Sequence, residues 1–498
     1  MKRAGRAVSR GVLRLAAALA LFTPVASLAK PSKADLALQA QLLTHIKELA
    51  SDAYEGREPG TEGEAKTLRY IGKQWFDLGL ESGTNDPGHS WFAPVTLVAR
   101  EPDGSRVAFS RKGRRVHIAP VAVQAFTSGK RSLIENAPVL FVGSGKTMPN
   151  RAELAGRVAL LLDGGLDGSD RQSALLRAGA SAVLTVLDGE RSLDNVTARR
   201  GRSGYALASD DLGGDLEAFI SREGLDGVLA GTGQNVASLQ TMAQAADFAA
   251  KPVDLAVSLE ASTRETRINT HNLIGKLPGK RPESGAVLLL SHWDHFGQCA
   301  EPPAEHLICN GAIDNASGIG VLTEAARRLR GVQQLDRDVY FLATTGEELG
   351  LLGAHAFAEN PPIPLKQIVA AFNIDTVAIS PAGSPFAVIG KGMTPLDAGI
   401  AAVAKAQKKK LVEGDAANAY VRRQDGWALL KHDVPTVLVS TAWSDLARME
   451  RFMDKDYHRP TDVVKPGIEL GGAADDVNFL VALTRHFADA KKVPGAAK

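Results

Sequence analysis

The stretch "SHWDHFGQCAEPPAEHLICNGAIDNASG", residues 291–318, gathers His292, His295, His306, Asp294, Asp314, Cys299 and Cys309, all side-chain types that bind transition metals. More candidates follow. Glu347 and Glu348 come after the apolar run "VYFLATTG", Asp375 after "IVAAFNI", and His458 stands in "DYHRPTD". Two divalent ions held about 3.5–4 Å apart need a bridging carboxylate and further nitrogen and oxygen ligands on each ion. His292 with Asp375 suits one ion, Glu348 with His458 the other, and Asp314 the shared position. Glu347 is then beside a ligand without being needed as one. A carboxylate there can take a proton from an attacking water and return it to a leaving amine. Asp294 lies two residues beyond His292 on an extended backbone, so both side chains face one way. It fits an acceptor that holds the imidazole in its tautomer.

Plainer readings stand beside these. Adjacent glutamates often only start a helix, where acidic groups complement the positive end of the dipole. The buried strand before Glu347 and Glu348 favours the chemical reading. His295 is tempting as a second ligand, but an apolar strand leads into it and the spacing does not converge. His306 sits in a proline-containing loop and is expected to be solvated. His45, His89, His117, His271, His432 and His486 are expected at the surface or packed, and His355 as structural or loop-lining. Met449, Phe452 and Met453 either line a specificity pocket or fill a core.

The chain has only two cysteines, which excludes a four-thiolate zinc site. In an exported protein an even pair at this short separation favours one disulfide, Cys299 to Cys309. Export is what the N-terminus predicts. Lys2, Arg3, Arg6, Arg10 and Arg14 precede the short apolar run "LAAALALF", and "VASLAK" supplies small residues for cleavage near Ala29. The apolar run is too short to span a bilayer comfortably, so no stable membrane span is expected. The formal net charge is +2, but five of the 58 basic residues lie in the leader. The remaining 53 face 56 acidic residues, a net of −3, so no nucleic-acid partner is implied.

The elements that must position these groups fall into three segments. Residues 34–82 form two helices around the polar turn "EGREPGTEGE". Residues from about 92 to 140 read as short strands broken by Gly and Asp, and "RVALLLDGG" to "AVLTVLD" as strand, helix, strand. From 265 onward, continuous apolar strands ("AVLLLS", "VYFLATT", "IVAAFNI", "FAVIG", "VPTVLVSTA") alternate with helices, one at "NASGIGVLTEAARRLR" and one near 470–488. Such strands imply an α/β fold whose central sheet is covered by helices on both faces. In these sheets ligands gather at the strand ends.

The motifs "HWDHFG", "NGAIDNASG", "TGEELGLLG", "NIDTVA" and "YHRPTD", in this order, resemble the metal motifs of the co-catalytic, two-zinc aminopeptidase family of the aminopeptidase Y and bacterial leucyl aminopeptidase type. "LASDAYEGREPGTEGE" is similar to that family's N-terminal helices. "ELAGRVALLLDGG" with "LLRAGASAVLTV" resembles its β-rich protease-associated insert. The resemblance implies a mixed central sheet of the zinc-peptidase kind, with a signal peptide at 1–29, peptidase segments at 30–114 and 256–498, and the insert at 115–255. It implies two zinc ions on His292, Asp314, Glu348, Asp375 and His458, with Glu347 as general base and Asp294 as orienting residue. The substrates it implies are peptides with a free N-terminus. Gln424, Asp425 and Gly426 stand where the family often has Ser-Asp-His. Asp425 and Tyr420, the latter as an oxyanion donor, are the substrate-binding candidates. Relatives of the same fold include C-terminal acidic carboxypeptidases, glutaminyl cyclases and receptor ectodomains that only bind partners; the complete ligand set with Glu347 favours the aminopeptidase.

Overall fold

The computed structural model describes residues 32–85, 91–163, 168–187, 189, 191–201, 204–211 and 213–494. The leader with Ala29, and His89, lie outside them. Among the described residues no helix is long and apolar enough to cross a membrane.

Strand Ala286–His292 is buried at every position, and successive side chains enter opposite layers: Val287 and Leu289 one core, Leu288 and Leu290 another. Period two with both faces apolar forces a sheet covered on both sides. The first layer contains helices Lys33–Leu49, Glu62–Asp77, Ser317–Arg330, Asp397–Ala406 and Leu470–Phe487; the second holds Leu352–Glu359 and Gly426–Leu430. Helix Lys33–Leu49 begins with a reciprocal cap, in which Ser32 Oγ accepts the Asp35 N–H and Asp35 accepts the Ser32 N–H.

Four strands of the sheet, Thr436–Ser440, Ile368–Asn373, Ala286–His292 and Asp338–Thr344, run parallel in that spatial order. Antiparallel strands flank them, Ala387–Ile389 on one side and the end of Lys251–Leu277 on the other. The parallel set delivers its carboxyl ends to one rim. His292 lies opposite Thr344, and Leu290 opposite Asn373, so the residues just beyond these strands converge.

Where short strands are expected between 92 and 140, the chain instead forms a single long one over its first twenty residues. Phe92–Arg111 is continuous and pairs antiparallel with the 27-residue strand Lys251–Leu277. Asp103 and Gly104 do not break it, because the ladder shifts register there, with Gly104 facing Ser262 and Pro102 facing Thr263. A bulge absorbs the extra residue and the pairing continues. Strand Lys251–Leu277 also pairs with Arg131–Phe141, beyond which Val158–Leu162, Ala182–Val186, Leu216–Ile220 and Val123–Thr127 extend the same sheet. That half has its own core, built on Phe109, Phe141, Leu160, Leu184 and Val257.

Candidate active site

Four of the candidate side chains sit at or just past a strand end, while His458 follows helix Leu446–Lys455. His292 closes its strand, Glu347 and Glu348 follow Thr344 by a turn at Gly346, and Asp375 comes two residues after Asn373. Asp314 stands on the connection into helix Ser317–Arg330, which Asn315 fastens to two strand ends. Its amide donates to Ser291 Oγ at 3.0 Å and the Ile374 carbonyl at 3.2 Å, and its Oδ1 accepts the N–H groups of Gly318 and Thr376. Gly318 is required at the helix start, since a Cβ would lie 2.2 Å from Asn315 Oδ1.

The two oxygens of Asp314 face opposite ways. Oδ1 is 3.3 Å from His292 Nε2, and Oδ2 is 3.4 Å from His458 Nε2. Around the first imidazole stands Asp375, 3.5 Å from His292 Nε2; around the second stands Glu348, 2.9 Å from His458 Nε2. The Nε2 atoms of both histidines are buried and make no hydrogen bond. Two imidazole nitrogens among carboxylates, with no thiolate, suit a borderline divalent ion such as zinc. By distance alone Glu347 joins His292 and Asp375 in a group within 4.8 Å. Glu347 Oε2, however, lies 4.0 Å from His292 Nε2, farther than either Asp314 or Asp375.

His292 is set for ligation by its other nitrogen. Nδ1 is 3.2 Å from the Asp294 main-chain carbonyl, which can only accept, so the proton sits on Nδ1 and the Nε2 lone pair is free. The tautomer-fixing acceptor is therefore not the Asp294 carboxylate expected from sequence, whose Oδ1 is 3.8 Å away. That carboxylate instead accepts the N–H groups of Glu347 at 3.2 Å and Glu348 at 3.4 Å, fixing the turn that carries both glutamates.

The electrostatics call for positive charge. Burial pushes Glu347 well above the usual carboxylate range, and Glu348 and Asp375 push it further against the opposing pull of His292. Burial does the same to Glu348, helped by Asp314, and raises Asp294 to about 6. Asp314 goes the other way: against its burial, the imidazoles of His292 and His458 beside its two oxygens hold it low. Cations placed between these carboxylates would relieve their mutual repulsion. Zinc at 100 times its Kd should therefore stabilise the fold by about 2.7 kcal/mol for each site filled. Thermal unfolding with zinc and with chelator checks this; coincident melting curves would rule out a metal site.

Three contributors go beyond what the sequence leads one to expect. Asp462, the last residue of "YHRPTD", accepts the N–H groups of Ile313 and Asp314 at 3.0 Å each, and so holds from behind the backbone that carries the Asp314 carboxylate. Arg57, in the segment expected only to turn between helices, is 1% exposed and donates to the carbonyls of Leu49, Trp293, Asn310 and Gly311. His295, expected to point elsewhere, is buried with its ring edge-on to His458. His306 is likewise not free in solvent: its ring nitrogens reach Asp52 Oδ1 at 3.1 Å and the Pro460 carbonyl at 3.2 Å.

The substrate-binding candidates separate. Tyr420 lines a narrow pocket beside Asp375, together with Arg423, Trp443, Met453 and Tyr457. The Arg423 guanidinium lies 5.9 Å from the Tyr420 ring and 5.7 Å from the Tyr457 ring. Met453 is thus a pocket residue, whereas Met449 is fully buried in the core behind it. Asp425 is 1% exposed and accepts the Thr344 hydroxyl, so it lies beneath the rim and cannot contact a substrate from there. Burial raises it to about 7. Cavities of about 580 and 800 Å³ lie in the other half of the sheet, lined by 105–260 and 142–248, and hold no such cluster. Cys299 and Cys309 are joined as a disulfide across the loop between His292 and Asp314.

Residues 272–479, which carry all the metal-ligand candidates with Glu347 and Asp294, match the model of peptidase family M28. This stretch is a peptidase family M28 domain. The chain is 27% identical over 281 residues to the aminopeptidase YwaD of Bacillus subtilis, covering 56% of this chain and 51% of that protein. It is 32% identical over 102 residues to the alkaline phosphatase isozyme conversion protein of Escherichia coli, covering 19% of this chain and 29% of that one. The matches thus span about half or less of these curated relatives. Among solved structures, an aminopeptidase from Aneurinibacillus sp. strain AM-1 superposes with a TM-score of 0.52 at 18% identity, over 92% of this chain and 96% of that one. The two chains share a fold.

Proposed function

We propose that this chain is an exported two-zinc aminopeptidase that removes N-terminal residues from peptides. The observation that carries the reading is Asp314, whose two oxygens face two separate sets of ligands, His292 with Asp375 and His458 with Glu348. Zinc ions bound there would supply Lewis acidity toward the scissile carbonyl and the attacking water. The protein's own groups do the rest. Glu347, whose burial gives it a high proton affinity, takes a proton from the water as its oxygen bonds to the carbonyl carbon. It returns that proton to the departing amine as the carbon–nitrogen bond breaks. Asp294 holds the Glu347 backbone during both transfers. The pocket of Tyr420, Trp443, Met453 and Tyr457 receives the side chain of the first residue.

Export is supported by the basic-then-apolar leader and by the Cys299–Cys309 disulfide, since such bonds persist in oxidising compartments. Residues 115–255 are read as the protease-associated insert. The test compares a peptide with a free N-terminus against its N-acetylated form, before chelation, after it, and after zinc is restored. Release of the first amino acid only from the free peptide, lost on chelation and regained with zinc, is expected. Equal cleavage of the blocked peptide, or indifference to the chelator, would overturn the reading.

A further inference from the structure

His295 is buried one strand-end turn from His292, yet its ring is held in the opposite sense. Its Nδ1 accepts the backbone N–H of Phe296 at 2.7 Å. A ring nitrogen that accepts carries no proton, so the proton of His295 is on Nε2, whereas that of His292 is on Nδ1. The Nε2–H of His295 is buried without a hydrogen-bond partner, and so is Glu348 Oε1, 3.8 Å away. The other oxygen of Glu348 lies toward His458. The ring has little room to turn, because it packs against Gly311, where a Cβ would come within 2.1 Å of His295 Cδ2.

We propose that His295 is a positioning residue for one metal half-site: its Nε2–H is aimed at Glu348 Oε1 and keeps Oε2 turned toward His458 and Asp314. With that nitrogen protonated, His295 is not a ligand. The inference rests on the two-metal reading and adds an asymmetry to it. The half-site of Glu348 and His458 has an imidazole donor behind its carboxylate, and losing such a partner commonly costs about 10–100-fold in metal affinity.

The test measures both zinc affinities of the full chain by chelator competition, for the wild type, His295→Phe and His295→Gln. His295→Phe, which keeps a ring but no donor, should bind one ion as the wild type does and the second about 10–100-fold more weakly. His295→Gln, which restores an N–H donor, should recover most of the loss. Unchanged affinities in His295→Phe would overturn the proposal alone, as would a Gln variant as impaired as Phe. A wild type that binds no second ion would overturn the two-metal reading with it. Should His295→Phe not fold, nitrogen NMR of the histidine-labelled wild type decides instead: the Nε2-protonated form supports the proposal, and a metal-shifted Nε2 overturns it.

Discussion

Glu347→Gln should retain both metal ions and lose about 10²–10⁴-fold in kcat, the usual contribution of a positioned general base. The geometry separates the two functions. Glu347 Oε2 is the most distant of the carboxylates facing His292 Nε2, so a neutral amide in its place leaves Asp314, Asp375, Glu348 and both histidines able to bind. The substitution also preserves the main-chain N–H that Asp294 accepts. What disappears is the proton acceptor. Elemental analysis of the purified variant beside its turnover makes the check; kcat within tenfold of wild type at full metal occupancy would assign the proton transfer elsewhere.

Arg57→Met should destabilise the fold by about 3–5 kcal/mol, the cost of breaking a buried charged network by removing one partner. Four main-chain carbonyls would lose the guanidinium as donor, with Gly311 keeping a second one in the Ala316 N–H, and the acidic cluster would lose a buried fixed cation. Burial draws the Arg57 guanidinium down to about 10, opposed by Asp462, Asp314, Asp294 and Glu348, so it remains charged at neutral pH. The placement carries a conformational cost in the backbone. Glu55, Gly56 and Arg57 all have positive φ, and Gly56 passes so close to Gly297 and the Cys309 carbonyl that a Cβ would lie within 2.8 Å of them. Arg57→Lys keeps the charge but has no planar fork to reach four carbonyls, and should fall between the two. Urea unfolding with zinc present measures the series; a Met variant within about 0.5 kcal/mol of wild type, the range of an ordinary surface substitution, would show the network to be dispensable.

The legible features of this molecule are those with a repeating physical pattern. Apolar runs such as "AVLLLS" and "VYFLATT" announce a covered sheet, and polar residues at their ends announce a rim, which is why His292, Glu347, Glu348 and Asp375 converge as expected. Side-chain roles that depend on which atom faces which neighbour are not legible. The Asp294 carbonyl, not its carboxylate, is nearest the His292 ring, and Asp425 proves to be buried. Arg57 hides in a segment rich in Gly, Pro and charge, a composition that normally means a solvated turn. Strand geometry argues against His295, but the chain has already left the strand at His292 and bends back. The long strand Phe92–Arg111 reads as fragments because a bulge permits Asp-Gly in mid-strand.

That bulge also has a meaning for anyone wishing to shorten the protein. Pro102 and Thr263 already face one another there, so a tight turn between them is the obvious splice for deleting everything from 103 to 262. The splice would nevertheless undress the half that carries the candidate site. Gly204–Leu207, from within the deleted segment, folds back to pair with Leu97–Arg100, and Leu207 shares a core with Val95, Leu97 and Leu352. Leu97 and Leu352 are also the neighbours of Gly346, the turn from which Glu347 emerges. The appended half is accordingly a wall of the room that holds Glu347, and a minimal version would need a replacement for Leu207 before it needed a better turn.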